Sequence, residues 1–312
     1  MPPPPVAAGW SNQPPPPGGG GRLERSMTVG DVIEAMFTLL RSTFGTVAAV
    51  AAILLVPGLV LVITSLTQVE EIFSAASVGP DGAFTLGSGS GIEPLFVILL
   101  VLGGLLSLVG SAAAVPATMQ VGVDHWNDVT PRVGRALAVG FRRMWGIITV
   151  WLALWLPLAV LFALPGLFAL VAEEPAWLAL YFVVLPVVAV LSLVAIMVGY
   201  LVPAAVVAEE IGAWQALRRV RTLLRGTFWP TFGRGLLIGF LLGIVNSVLG
   251  FVSSFLGFLP PEVIIVLAIV TNLVSFLVLT PLGNYGGLAL YGDLRIRSEG
   301  SDVLAMASRL RG

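Results

Sequence analysis

The sequence predicts an all-α integral membrane protein of six transmembrane helices, arranged as three parallel hairpin repeats that are each preceded by an amphipathic interfacial helix. Three observations predict it. Apolar residues make up 57% of the chain and charged residues 11%, at a mean hydropathy of +0.99, whereas a soluble domain carries about 25% charged residues. Six apolar runs, at about 45–66, 95–120, 146–171, 177–207, 235–258 and 262–288, hold no Asp, Glu, Lys, Arg or His in their interiors. Each supplies the roughly 20 residues that cross a ~30 Å hydrocarbon layer. All 16 basic residues are arginines, and they fall before the first run, between the second and third, between the fourth and fifth, and after the sixth. The other connections, 67–94, 172–176 and 259–262, carry only acids: Glu70, Glu71, Asp81, Glu93, Glu173, Glu174 and Glu262. Cytoplasmic flanks of membrane helices retain Lys and Arg, so the split predicts a multi-pass protein of the cell membrane with both termini cytoplasmic.

Residues 1–21 (MPPPPVAAGWSNQPPPPGGGG) precede the membrane domain. Their proline runs favour polyproline II and the glycine run favours no fixed conformation, so a disordered cytoplasmic arm is expected. The arm has no basic stretch followed by an apolar one, as a signal peptide would. The membrane domain is expected over 22–303, followed by a cytoplasmic tail at 304–312. The Gly/Ser-rich, acidic connection at 67–94 reads as a flexible external loop. The chain has no cysteine, which removes disulfides, thiol nucleophiles and Cys-based metal sites.

Three amphipathic segments stand before the odd-numbered runs. In 28–41, Val29, Val32, Ile33, Met36, Phe37 and Leu40 share one helical face, and Thr28 with Asp31 forms a capping-box start. In 131–145, Val133, Leu137, Phe141 and Trp145 form a stripe behind a Thr130 N-cap and Pro131. In 211–225, Trp214, Leu217, Val220 and Leu224 oppose Arg218, Arg221 and Arg225, and Gly226 is placed to end the helix. Such helices either lie flat in the interface or pack against each other beneath the bundle.

These segments mark an internal repeat. TLLRSTF at 38–44 recurs as TLLRGTF at 222–228, and Pro57-Gly58-Leu59 as Pro165-Gly166-Leu167. Val29-Gly30, Val133-Gly134 and Ile211-Gly212 open the three segments alike, and Pro116, Pro203 and Pro281 sit towards the inner ends of the even-numbered runs. Parallel repeats of this kind imply a pseudo-symmetric bundle about an axis along the membrane normal.

The segments TVGDVIEAMF (28–37), AVVAEEIGAWQALRR (205–219), LLRGTFW (223–229) and YGDLRIRSEG (291–300) resemble bacterial, mostly actinobacterial, proteins of the glycerophosphoryl diester phosphodiesterase membrane-domain family. The resemblance covers about residues 25–303. It implies a membrane bundle of the type that longer relatives couple to a soluble phosphodiesterase domain. No such domain is present in this chain, so the resemblance does not imply the activity.

Phosphodiester hydrolysis of that kind uses histidines with a carboxylate-bound metal. Here the one histidine, His125, sits in DHWNDV (124–129). Asp124, His125 and Asp128 have spacing for a divalent ion, but a polar turn with Trp126 at the interface is the favoured account. No catalytic, metal or cofactor-binding residue is expected, and no cofactor. Asn246, Asn272 and Asn284 are the candidate intramembrane polar positions. They either line a path for a neutral or lipid-like solute or make interhelical hydrogen bonds, beside small residues such as Gly103, Gly104, Gly110, Gly239 and Gly243 that permit close packing or homo-oligomer formation.

Arg218, Arg219, Arg221, Arg225, Arg142 and Arg143 are the candidate lipid- and partner-facing residues. A juxtamembrane arginine near anionic lipid contributes on the order of 1 kcal/mol. Nucleic acid is excluded as a partner because the clusters are small, balanced by Glu209, Glu210 and Asp293, and lack a recognisable module. The expected partners are anionic membrane lipids and another membrane or cytoplasmic protein. The chain thus reads as a non-enzymatic scaffold or accessory factor for membrane or envelope components. The alternative is a permease or flippase-like pathway for a lipid or neutral solute; a third reading is the membrane module of a separately encoded phosphodiesterase.

Overall fold

The computed structural model describes residues 27–74, 76–78, 84–86, 94–171, 175–255 and 261–299. The expected arm at 1–21, the tail at 304–312 and much of the 67–94 connection lie outside the described residues. Eight α-helices are described: α1 (Val29–Ser74), α2 (Pro94–Trp126), α3 (Val133–Val171), α4 (Tyr181–Ala208), α5 (Ala213–Leu224), α6 (Phe228–Phe255), α7 (Pro261–Val274) and α8 (Thr280–Glu299). Between α1 and α2, where the sequence reads as loop, β1 (Ala76–Val78) pairs antiparallel with β2 (Phe84–Leu86), Ala76 opposite Leu86. Six segments are long and apolar enough to cross a membrane: Val29–Leu61, Leu95–Trp126, Val133–Val171, Leu178–Ala208, Phe228–Val248 and Ile269–Ser298. Each overlaps one of the six apolar runs.

The amphipathic leader segments differ from expectation in one respect. Only the third is a helix of its own, α5. The first two run without a break into the apolar stretch behind them, because neither Ser42–Gly45 nor Trp145-Gly146 departs from helical backbone. Thus α1 is one helix of 46 residues, about 70 Å long at 1.5 Å per residue and over twice the ~30 Å hydrocarbon thickness. After α5 the chain does break, at Gly226, whose φ is +88°. That left-handed conformation closes a helix C-terminus and is costly for any residue with a Cβ.

The start of α1 carries the expected reciprocal cap: Thr28 N–H donates to Asp31 Oδ2 at 2.9 Å, and Asp31 N–H to Thr28 Oγ1 at 3.3 Å. The start of α3 is shifted. Its first turn is closed by Ala136 N–H donating to Arg132 O, so Thr130 and Pro131 precede the helix. In the last crossing a π-helical turn, Ser275–Leu279, joins α7 to α8, and Thr280 N–H donates to Ser275 O. Pro281 follows at once and has no N–H to donate to Leu277 O; the wider turn absorbs that loss.

The core lies at one end of the bundle. Residues 281–291 of α8 are all buried, so this stretch is the post around which α1, α2, α4 and α6 pack. Met36 and Leu39 of α1, Met119 of α2, Ile147 of α3, Leu201 of α4 and Tyr285, Leu288, Tyr291 and Leu294 of α8 are fully buried. Towards the other end α2, α3, α4 and α6 leave most side chains exposed, including Leu105, Leu156, Phe182 and Phe251. Close packing of α1 on α2 depends on Gly110, where an added Cβ would lie 2.1 Å from Leu54 O. Gly58 faces α2 in the same way, where an added Cβ would lie 2.7 Å from Ser107 N, whereas Gly104, Gly239 and Gly243 have no neighbour within 4 Å.

Candidate functional site

The buried end of the bundle is also its arginine-bearing end, and three carboxylates organise it. Asp124 closes α2 and is 2% exposed. It accepts from Gln120 Nε2 at 2.7 Å and pairs with Arg135 Nη1 of α3 at 3.3 Å. The turn beyond it is built by the backbone: Val129 N–H donates to Asp124 O and Asp128 N–H to His125 O, with Asp128 at φ +56°. This is a Schellman closure using aspartate in the left-handed position, which Asp tolerates better than most residues.

Glu209 follows α4. Its carboxylate accepts from Arg219 Nε at 3.2 Å on both oxygens and from Arg219 Nη2 at 3.3 Å. The Tyr291 hydroxyl donates to Glu209 Oε1 at 2.6 Å, and Arg295 lies 3.9 Å from that oxygen. One side chain thereby fastens α4, α5 and α8. Asp293, 2% exposed, accepts from Met27 N–H at 2.6 Å, from Arg297 Nε at 2.8 and 3.0 Å, and from Arg234 Nη1. Arg297 Nη2 also donates to Met27 O at 3.0 Å. Two guanidiniums and a backbone amide compensate a carboxylate that would otherwise be buried at a cost of several kcal/mol. The pairing of Asp293 with Arg297, four residues on, is the one ion pair legible from spacing.

Neutral polar pairs lie deeper. Thr43 Oγ1 and the Tyr285 hydroxyl share a hydrogen bond at 2.8 Å between α1 and α8. Asn284 Nδ2 donates to Thr118 Oγ1 at 2.6 Å between α8 and α2. His125 Nε2 lies 3.2 Å from Ser42 Oγ of α1. Asp124, His125 and Asp128 therefore go to three different environments: an arginine, a serine and an exposed turn.

Of the three asparagines, Asn284 is buried in an interhelical hydrogen bond, while Asn246 and Asn272 are exposed on α6 and α7. The structure does not bring them together. The six arginines divide as well. Arg219 is held by Glu209, and Arg143 Nη1 donates to Ile211 O at 2.6 Å. Arg142, Arg218, Arg221 and Arg225 are exposed, with Arg218 lying 5.9 Å over the Trp214 ring, a cation–π distance. Exposed aromatics accompany them: Trp145 at 66%, Trp214 at 59% and Trp229 at 76%.

Two clefts open at this end. One of about 250 Å³ is lined by Val123, Trp126, Asn127, Tyr291, Arg295 and Ile296, among others. The larger, about 410 Å³, lies between α3 and the α4–α5 connection. Sequence reading missed the carboxylate organisation. Its signal is that each even-numbered crossing ends in an acid with an arginine 11, 10 or 4 positions later: Asp124 and Arg135, Glu209 and Arg219, Asp293 and Arg297. Comparison with protein-family models, curated proteins and solved structures gives no match, and the geometry alone carries the functional reading.

Proposed function

We propose that the chain is a non-enzymatic cell-membrane protein, a scaffold or accessory factor for membrane or envelope components, whose arginine-bearing end faces the cytoplasm and contacts anionic lipids and a partner protein. One observation carries this reading. Asp124, Glu209 and Asp293 engage Arg135, Arg219, Arg234 and Arg297, while Arg142, Arg218, Arg221 and Arg225 remain exposed beside Trp145, Trp214 and Trp229. Exposed arginine with tryptophan at the end of an apolar bundle is the composition that seats in an anionic headgroup layer. The acid at the end of each even-numbered crossing supports three hairpin repeats, and the likeness to the glycerophosphoryl diester phosphodiesterase membrane-domain family belongs to the same proposal.

The test is to capture the tagged chain from native membranes in mild detergent and quantify co-purifying lipids and proteins against an unrelated six-span control. Anionic lipid should be enriched, and a stoichiometric partner retained. Replacing Arg218, Arg221 and Arg225 by Gln should lower both, since about 1 kcal/mol is at stake per arginine. Lipid and protein profiles equal to the control's would overturn the reading.

A flippase-like pathway for a lipid or neutral solute is the second reading, favoured by Asn246, a polar side chain exposed on the fifth crossing. Flux through the purified chain in liposomes, abolished by Asn246→Leu or Asn272→Leu, would support it; flux indifferent to both would remove its support.

A further inference from the structure

The 410 Å³ cleft is lined by Arg142, Arg143, Gly146, Val206, Ile211, Gly212 and Ala213. We propose that it binds the phosphate-bearing headgroup of one anionic membrane lipid. The inference rests on the lipid-contacting reading above and gives it a defined site.

Its shape comes from Gly146. A Cβ there would lie 2.9 Å from Ala213 Cβ, so the bare backbone of α3 lets the start of α5 come up against it. Arg142 is one helical turn before Gly146 and Arg143 three residues before it, which places both guanidinium stems on the side of α3 that borders the α4–α5 connection. Arg143 is fixed there by its bond to Ile211 O, 2.6 Å long. That bond uses one of five guanidinium N–H donors and leaves four. Arg142 has no hydrogen-bond or ion-pair partner among the described residues.

No carboxylate lines the cleft. At the other arginine clusters Asp124, Glu209 and Asp293 supply the counter-charge; here two adjacent cations border a concavity without one. Phosphate oxygens match guanidinium donors in geometry as well as charge. The volume falls within the roughly 300–1,000 Å³ of small-ligand sites.

The rest of the lining selects a lipid over a free anion. Val206, Ile211, Ala213 and Gly146 are apolar, Gly146 lying in the third crossing and Val206 in the fourth. Trp145, 66% exposed, stands beside them on α3. A headgroup phosphate between the arginines would leave the glycerol and first methylenes against these residues, which inorganic phosphate cannot contact.

The test uses native mass spectrometry of the full chain in neutral detergent, titrated with dihexanoyl phosphatidylglycerol, with dihexanoyl phosphatidylcholine, and with inorganic phosphate. One saturable equivalent of phosphatidylglycerol is expected, with weaker phosphatidylcholine binding and no displacement by equimolar phosphate. Arg142→Gln should weaken that first equivalent about fivefold, and it removes no intramolecular bond, so the fold is kept. Arg143→Gln should weaken it as well, whereas Arg41→Gln, at an exposed position outside the cleft lining, should leave it unchanged; the Arg218→Gln/Arg221→Gln pair is titrated beside them. If Arg142→Gln and Arg143→Gln bind as the wild type does while the Arg218/Arg221 pair weakens binding, the cleft is overturned and the broader lipid-facing surface stands. If inorganic phosphate displaces the lipid at equal concentration, the site is for a free anion and the lipid assignment falls. If phosphatidylglycerol binds no better than phosphatidylcholine to any form, both readings fall together.

Discussion

The hydroxyl of Tyr291 donates to Glu209 Oε1 across 2.6 Å, joining α8 to the end of α4. Tyr291 is otherwise packed in the core, 2% exposed, and Glu209 is already gripped by Arg219. A hydrogen bond to a charged acceptor contributes about 1.5–3 kcal/mol. Tyr291→Phe keeps the ring and removes only this bond, so it should lower stability in detergent by about that amount. Glu209→Gln should reduce the cost of Tyr291→Phe to about 0.5–1.5 kcal/mol, because the amide oxygen still accepts but the acceptor's charge is gone. A double-mutant cycle by thermal unfolding measures the coupling; independent effects of the two changes would refute it.

Asp293 is the hub where α1, α6 and α8 meet. Asp293→Asn leaves Arg234 and Arg297 without their carboxylate, and breaking a buried pair from one side costs about 3–5 kcal/mol. Arg297→Gln should cost less, since Arg234 and Met27 N–H still satisfy the acid. The order of the two melting temperatures checks this: Asp293→Asn must lie below Arg297→Gln.

The legible part of this architecture follows from local physics. A membrane demands about 20 apolar residues per crossing and sorts arginines to one side, so both the six crossings and the arginine clusters appear in the chain as written. Asp293 and Arg297, one turn apart, appear for the same reason. Arg135 on Asp124 and Tyr291 on Glu209 do not, because each pairing forms only after separate helices have docked; Tyr291 and Glu209 are 82 residues apart. The cleft is illegible too, since it depends on Gly146 meeting Ala213. Nor does sequence separate Asn284, which is buried, from Asn246 and Asn272, which are exposed.

That difference among the asparagines gives a third expectation. Asn284→Leu removes the donor to Thr118 and should destabilise by about 0.6–2 kcal/mol, the range for interhelical hydrogen bonds. Asn246→Leu, on the exposed surface of α6, should be neutral or slightly stabilising in detergent. Equal losses at both positions in thermal unfolding would show that Asn246 is hydrogen-bonded within the purified protein, and would overturn the distinction.

Gly110→Leu should be the most damaging single change in the first two crossings. The obstacle to its Cβ is the backbone oxygen of Leu54, at 2.1 Å, and no rotamer change can move it. Helices α1 and α2 would have to separate along the contact. Overpacking typically costs about 1–3 kcal/mol and more where backbone must shift. The expected result is loss of monodisperse protein on size exclusion, whereas Gly104→Leu, whose Cβ would meet nothing within 4 Å, should elute as the wild type does.

The word TLLR-x-TF supplies the last prediction, because its two copies differ at one letter and take different backbone paths. In α1 the variable residue is Ser42, inside a continuous helix; between α5 and α6 it is Gly226, at φ +88°. Ser is an ordinary helix residue, while in the left-handed region a Cβ costs about 1–2 kcal/mol. Gly226→Ser should therefore destabilise by about that amount and favour extending α5 into α6, as the first copy extends into its crossing. Ser42→Gly should cost less, about 0.5–1 kcal/mol from backbone entropy, plus the contact of Ser42 with His125. Spin labels at exposed positions Gln215 and Leu236 would report the α5–α6 geometry directly. A lengthened distance in Gly226→Ser marks straightening; an unchanged distance with unchanged melting temperature would show that the break is set by the packing of α5 and not by its glycine.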